Sequence, residues 1–282
     1  MPAHLIALDI DGTIIDYDGT LSEAVRQVLI ELAEAGHHIV ISTGRALPGA
    51  LEIVRALGLT EGFVVCSNGS VVVKLDPALP LGWEMHHVVS FDPRPALERM
   101  LAVLPTALFL VEDPDLHRWA SGAFPPGELS ESDTLDIVGF DELLTKQATR
   151  IVMRDVNGTA EEFAEAVDRL GLHEVSYSVG WSNWLDIAPD GVSKASGLAL
   201  VESELGIDHE RTVAAGDGLN DLEMIEWADH SIVMGQAKDE LKVLGSVVTD
   251  PVEDDGLAVA LVDHFDLDPV VLDVAGSRPT GP

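Results

Sequence analysis

The first third of the chain alternates short apolar runs with stretches of helical period. Leu5–Leu8 is four consecutive apolar residues, the length and composition of a strand buried on both faces. Residues 22–35 carry helical spacing and are closed by Gly36; His38–Ser42 reads as a second strand. A helix over 46–57 ends at Gly58, and 63–66 makes a third strand. Strands alternating with helices argue for a parallel sheet covered on both faces.

Between about 84 and 187 the pattern changes. Segments at 83–89, 95–104, 106–111, Arg150–Arg154, 159–170, 174–179 and 184–187, with a Pro- and Gly-containing stretch at 121–127, read as an α+β arrangement. A separate sheet with helices on one face is expected there. After Pro189 the first pattern resumes, with a helix over 193–205, a strand over 212–215, a helix over 219–227 and a strand over 231–234. Helices near 236–243 and 256–264 follow, and residues after about 266 read as a tail. The expected fold is α/β: a Rossmann-like parallel-sheet core (1–83 plus 188–282) interrupted by an inserted domain at 84–187.

The candidate chemistry lies at the ends of these strands. Asp9-Ile10-Asp11-Gly12-Thr13 follows Leu5–Leu8, so Asp9 falls at the carboxyl end of a strand, the edge where open parallel sheets bind ligands. Of two carboxylates two residues apart, one can attack phosphorus while the other handles the leaving group's proton. The pattern is also that of a polar turn, and Asp16-Tyr17-Asp18-Gly19-Thr20 repeats it seven residues later, with only two residues between the copies. The second copy therefore reads as a loop or hairpin over the site.

Thr43-Gly44-Arg45 offers a hydroxyl, an approachable backbone and a guanidinium, a set suited to a phosphoryl group, although Arg45 in a plain loop would serve a salt bridge. Ser67-Asn68-Gly69 follows the third strand in the same way. Lys194 opens a helix, where a lysine meets the unfavourable end of the dipole. Gly216-Asp217-Gly218-Leu219-Asn220-Asp221 places hard oxygen ligands on a tight turn after a strand, a set suited to Mg²⁺ and equally able to cap the next helix. Because each of the strand-end motifs follows an expected strand, they converge on one sheet edge.

Composition narrows the partners. Acidic residues number 49 against 16 basic, a net charge of -33, which repels nucleic acid and anionic membrane surfaces. Salt screens that repulsion beyond roughly 8 Å, so a local positive cluster can still capture a phosphate. A single cysteine, Cys66, and no long apolar run point to a cytoplasmic protein without a membrane span. The pairs His37-His38 and His86-His87 resemble metal ligands only in composition, since neighbours on a strand face opposite ways.

In order, Asp-x-Asp-Gly-Thr, Thr-Gly-Arg, Ser-Asn-Gly, Gly-x-Ser-Lys and Gly-Asp-Gly-x-Asn-Asp resemble the haloacid dehalogenase superfamily. The large insertion before the lysine resembles its Cof-like branch with an α/β cap. The resemblance runs from Asp9 to Asp221 and implies a phosphatase. Asp9 would form an aspartyl-phosphate; Asp11 would protonate the leaving alcohol and then activate water. Thr43 and the Gly44 N–H would hold phosphoryl oxygens, with Lys194 and Asn220 completing the cradle and Arg45 and Asn68 as further phosphate-site candidates. Mg²⁺ would be held by Asp9, the Asp11 carbonyl and Asp217, with Asp221 as ligand or supporting neighbour.

Three alternatives are weighed against this reading. A dehalogenase needs neither Asp11 nor a metal, and this chain has both Asp11 and the intact Asp217–Asp221 turn. A phosphosugar mutase of the phosphomannomutase type also uses two aspartates and a cap, and would require a bisphosphate activator. A non-enzymatic phosphate-binding protein is expected to have lost Asp9 or Asp11. The expected substrate is a small phosphorylated metabolite, with sugar phosphates leading. Trp181, Asn183, Trp184, Arg118 and Trp119 are candidates to contact it, or else to pack the cap's own core.

Overall fold

The computed structural model describes residues 2–126, 128, 129, 135–170, 175–179 and 183–269. In chain order it contains β1 (Leu5–Leu8), α1 (Glu23–Glu34), β2 (His38–Ser42), α2 (Leu47–Ala56), β3 (Gly62–Cys66), β4 (Val71–Leu75), β5 (Trp83–Val88) and α3 (Arg94–Val103). There follow β6 (Leu108–Glu112), β7 (Arg118–Ala120), β8 (Leu135–Ile137), α4 (Phe140–Leu143), β9 (Arg150–Arg154), α5 (Ala160–Leu170), β10 (Val175–Val179) and β11 (Trp184–Pro189). The chain closes with α6 (Lys194–Leu205), β12 (Thr212–Gly216), α7 (Leu222–Trp227), β13 (His230–Val233), α8 (Asp239–Lys242), β14 (Val247–Val248) and α9 (Gly256–Phe265).

Among the described residues, eight strands form one sheet in the order β14-β13-β12-β1-β2-β3-β4-β5, parallel from β14 to β3 and antiparallel at β4 and β5. β1 is central, paired with β12 on one side and β2 on the other. Its residues alternate faces: Ile6 and Leu8 join a core with α1, α2 and α9, while Leu5 and Ala7 join a core with α6 and α7. Burial on both faces explains why β1 is apolar throughout rather than alternating. α1 begins at Ser22, whose hydroxyl accepts from the Val25 N–H, and the chain leaves it through Gly36 at φ 92.

The second sheet has the order β10-β11-β9-β6-β7-β8, antiparallel except for the β7–β8 pair. One face packs on α3, α4 and α5 through Phe109, Val111, Ile151, Met153, Leu185 and Ile187. The opposite face carries Leu110 and Val152, together with the polar side chains of Glu112, Arg118, Arg150 and Asp186.

Several expectations change. The strand at 83–89, assigned to the inserted region, pairs with β4 instead and forms an edge of the first sheet. β4 itself was not anticipated: Val71–Leu75 follows β3 after only four residues, and such close repetition hid two strands behind one turn. The single helix expected over 219–227 is a 3₁₀ turn at Leu219–Asp221 followed by α7, because Asp221 is turned back to cap its own loop. No helix among the described residues is long and apolar enough to cross a membrane.

Candidate active site

β1, β2, β3 and β12 run parallel, so the turns after them open on one edge. Asp9 follows β1, and its N–H donates to the Ala215 carbonyl of β12 at 3.0 Å. Thr43, Gly44 and Arg45 follow β2, Ser67 to Gly69 follow β3, and Asp217 to Asp221 follow β12. Lys194 arrives from α6, whose cap is a reciprocal pair of bonds between Ser193 and Ser196. Gly69 is needed where these turns meet: it sits at φ 100, and a side chain there would strike the Ser193 carbonyl.

Lys194 is buried, with Nζ 2.5 Å from Asp9 Oδ1 and 2.5 Å from Asp221 Oδ1. The other Asp221 oxygen accepts from the backbone N–H groups of Asp217 (3.0 Å) and Gly218 (2.9 Å). Asp221 thus spends both oxygens fastening the lysine and the turn. Burial alone would lower the lysine's pKa, but Asp221 and Asp9 raise it. The Asp9 carboxyl is pushed well above the usual range by burial, then by the Asp221 charge, with Lys194 opposing. Asp217 is pushed up to about 6, again chiefly by burial.

Oxygens of Asp9, Asp217 and Asp221 lie within 4.8 Å of one another. Three crowded carboxylates balanced by one ammonium leave an excess of negative charge, and all-oxygen donors suit a hard divalent cation. The residues therefore fit a hard divalent cation, with Asp9 and Asp217 the better placed carboxylates because Asp221 is already engaged.

Arg45 is engaged by the second aspartate of the first motif. Its Nε donates to Asp11 Oδ2 at 2.9 Å and its Nη2 to Asp11 Oδ1, a two-pronged grip on the second aspartate. Thr43 is buried, and its Oγ1 accepts from the Arg45 N–H at 3.0 Å. Asn220 Nδ2 donates to Asn68 Oδ1 at 3.3 Å, bringing those two amides together beside Gly44.

The repeated segment 16–20 closes a small turn, with Gly19 N–H donating to Asp16 O and Thr20 N–H to Asp18 Oδ1. From it the Tyr17 hydroxyl donates to Asp217 Oδ2, a contact that sequence reasoning missed. Gln236 was missed as well: its Nε2 donates to the Gly12 carbonyl at 2.6 Å and stands 3.5 Å from Asp217 Oδ2. The signal for Gln236 was present, since it follows an expected parallel strand and must emerge on the same edge.

The candidate substrate contacts divide. Asn183 Nδ2 is taken by the Gly158 carbonyl at 2.7 Å, and Trp119 packs on the helical side of its sheet with Lys146 over its ring. Trp184 donates to Asp186 Oδ2 at 2.9 Å on the opposite face, which Arg118 shares. Trp181 lies outside the described residues. Cys66 is fully buried, and burial pushes its thiol pKa up, away from reactivity.

Residues 6–79 and 123–261 match the haloacid dehalogenase-like hydrolase family model. YkrA of Bacillus subtilis (strain 168) is 33% identical over 273 residues, spanning 93% of this chain and 97% of that protein. The 5-amino-6-(5-phospho-D-ribitylamino)uracil phosphatase YitU of the same organism is 28% identical, spanning 94% of this chain and 98% of YitU. Among solved structures, the HAD subclass IIB sugar phosphatase BT4131 superposes with a TM-score of 0.77 over 94% of this chain and 99% of that one; at 21% identity this is a likeness of fold. The chain belongs to the haloacid dehalogenase-like hydrolases, in their Cof-like branch.

Proposed function

We propose that this hydrolase is a Mg²⁺-dependent phosphatase that cleaves a small phosphorylated metabolite through an aspartyl-phosphate on Asp9. The observation that carries the reading is the buried Lys194 held between Asp9 and Asp221, with Asp217 alongside. A dehalogenase has no use for the second aspartate that Arg45 grips.

Asp9 attacks phosphorus as the bond from phosphorus to the leaving oxygen breaks, and Asp11 gives its proton to that oxygen. Asp11 then takes a proton from water, whose oxygen attacks phosphorus and breaks its bond to Asp9, releasing phosphate and restoring the carboxylate. Lys194, the Thr43 hydroxyl, the Gly44 N–H and Asn220 hold the phosphoryl oxygens, as charge spreading over them requires. Asp9, Asp217 and the Asp11 carbonyl would hold Mg²⁺, which would supply neutralising charge and orientation for the phosphoryl group.

The second sheet acts as a cap inserted between β5 and α6, its helix-free face toward the leaving group. YitU and the pyridoxal phosphate phosphatase YbhA of Escherichia coli (strain K12), 24% identical to this chain, act by name on small phosphorylated molecules, which supports a metabolite substrate here. Asp9→Asn is expected to abolish Mg²⁺-dependent phosphate release from p-nitrophenyl phosphate. Unchanged turnover would overturn the nucleophile assignment. A panel of phosphorylated metabolites, sugar phosphates first, identifies the substrate.

A further inference from the structure

Ser67, Asn68 and Gly69 are three consecutive residues with positive φ, at 49, 52 and 100. Two of them carry side chains and therefore hold an unfavourable conformation that the surroundings must impose. This short segment touches most of the proposed phosphate cradle. Ser67 N–H donates to the Arg45 carbonyl at 2.9 Å, and Asn68 N–H to the Thr43 carbonyl at 3.1 Å. Asn68 Oδ1 accepts from Asn220, and Gly69 lies against the Ser193 backbone beside Lys194.

One restraint on the segment comes from the second sheet. Ser67 Oγ donates to Glu112 Oε1 at 2.5 Å, and both residues are buried. Glu112 ends β6, where its neighbours fix it in turn. The Thr149 hydroxyl lies 3.1 Å from the Glu112 carbonyl and 3.4 Å from Oε1. Arg118 of β7 and Arg150 of β9 stand opposite Glu112 in register, and Arg150 Nε is 2.5 Å from Asp186 Oδ1 of β11. Acidic and basic side chains thus alternate across four adjacent strands, from Asp186 through Arg150 and Glu112 to Arg118. Such a row fixes where the Glu112 carboxylate stands relative to its sheet.

We infer that Glu112 is a positioning residue: through Ser67 it makes the shape of the phosphate cradle depend on the docked position of the cap. When the cap sheet is seated, Glu112 holds the Ser67–Asn68 turn in its strained form and the Thr43, Arg45 and Asn220 loops close on it. When the cap moves away, the hydroxyl loses its acceptor and the turn is free to relax. Substrate that seats the cap thereby assembles the site that binds its phosphoryl group. The inference rests on the phosphatase reading above, and the following test separates the two.

Ser67→Ala removes one hydroxyl and leaves the row of charges intact. It is expected to raise the inhibition constant of inorganic phosphate, measured against p-nitrophenyl phosphate, by about tenfold, the size expected for a lost bond to a charged acceptor. kcat/KM should fall by a similar factor. Glu112→Ala should produce the same two changes, and the double variant should be no worse than the worse single one. Should Glu112→Ala fail to fold, the Ser67→Ala inhibition constant decides alone. A purely structural role would lower the melting temperature of Ser67→Ala and leave that constant within about twofold of wild type, which would overturn the inference, as would additive losses in the double variant. A wild-type protein that releases no phosphate and binds none would instead overturn the phosphatase reading.

Discussion

Lys194 and Asp9 are 185 residues apart in the chain, yet their charged atoms stand 2.5 Å apart in a buried setting. The separation spans the whole inserted second sheet, so the contact forms only when both halves of the first sheet have assembled around β1. Removing the lysine would leave Asp9 and Asp221 crowded without their cation. Lys194→Met is therefore expected to lower kcat/KM for p-nitrophenyl phosphate by about 10²–10³-fold, the usual loss for one donor in a charge-stabilising cradle. Steady-state kinetics checks this, and a loss below tenfold would remove Lys194 from the cradle.

Arg45 tests a different division of labour. Its two bonds to Asp11 match the planar fork of a guanidinium, which a lysine cannot reproduce. Arg45→Lys should therefore lower kcat about tenfold, by loosening the acid–base group, while the inhibition constant of inorganic phosphate moves less. If that constant rises as much as kcat falls, Arg45 binds phosphate directly, as the Thr-Gly-Arg motif alone had implied.

The edge that gathers the candidate site was legible because each of its turns follows a short apolar run. Leu5–Leu8, His38–Ser42 and Thr212–Gly216 are buried strands whose composition announces them, and their parallel direction brings Asp9, Thr43 and Asp217 together. What was not legible depended on side-chain contacts between distant segments. Nothing near Arg45 signals that Asp11 will hold it, and nothing near Ser67 signals a carboxylate arriving from β6, 45 residues on. β5 was placed with the wrong sheet because Trp83–Val88 is half polar and largely exposed, the pattern of an edge strand in either sheet.

Tyr17 and Gln236 converge on Asp217, the carboxylate best placed to share a metal with Asp9. Groups that donate to a ligating carboxylate fix its direction, and their removal commonly weakens metal binding by about 10–100-fold. Tyr17→Phe and Gln236→Ala are each expected to raise the Mg²⁺ concentration giving half-maximal activity by about tenfold. Calorimetric titration of Mg²⁺ into each variant provides the check without turnover. Affinities equal to wild type would mean that Asp217 is oriented by its own turn alone.

At the opposite edge of the first sheet, four histidines gather where strands begin and α9 ends. His4 and His37 have ring centroids 5.1 Å apart, His230 and His264 stack at 4.0 Å, and Phe265 lies against His4, His37 and His264. The His4 N–H donates to His37 Nδ1 at 3.1 Å, which requires that nitrogen to be unprotonated. All four pKa values are lowered, chiefly by burial; those of His4, His37 and His264 are lowered further by neighbouring positive charge, and that of His264 reaches about 4. Asp229 and Asp263 pull the other way at His230 and His264 without reversing the shift. An unfolded histidine titrates near 6.5, so between that value and about 4 the unfolded chain binds more protons than the folded one. Stability contributed by the neutral cluster is therefore complete above pH 6.5 and is lost progressively as pH falls toward 4. The melting temperature should drop on going from pH 7 to pH 5, and His264→Gln should flatten that drop by removing the most strongly shifted member. Scanning calorimetry across the window decides it: a variant with the same pH slope as wild type would overturn the assignment of this acid sensitivity to His264, and the raised pKa values of Asp9 and Asp217 would oppose such a slope rather than produce it.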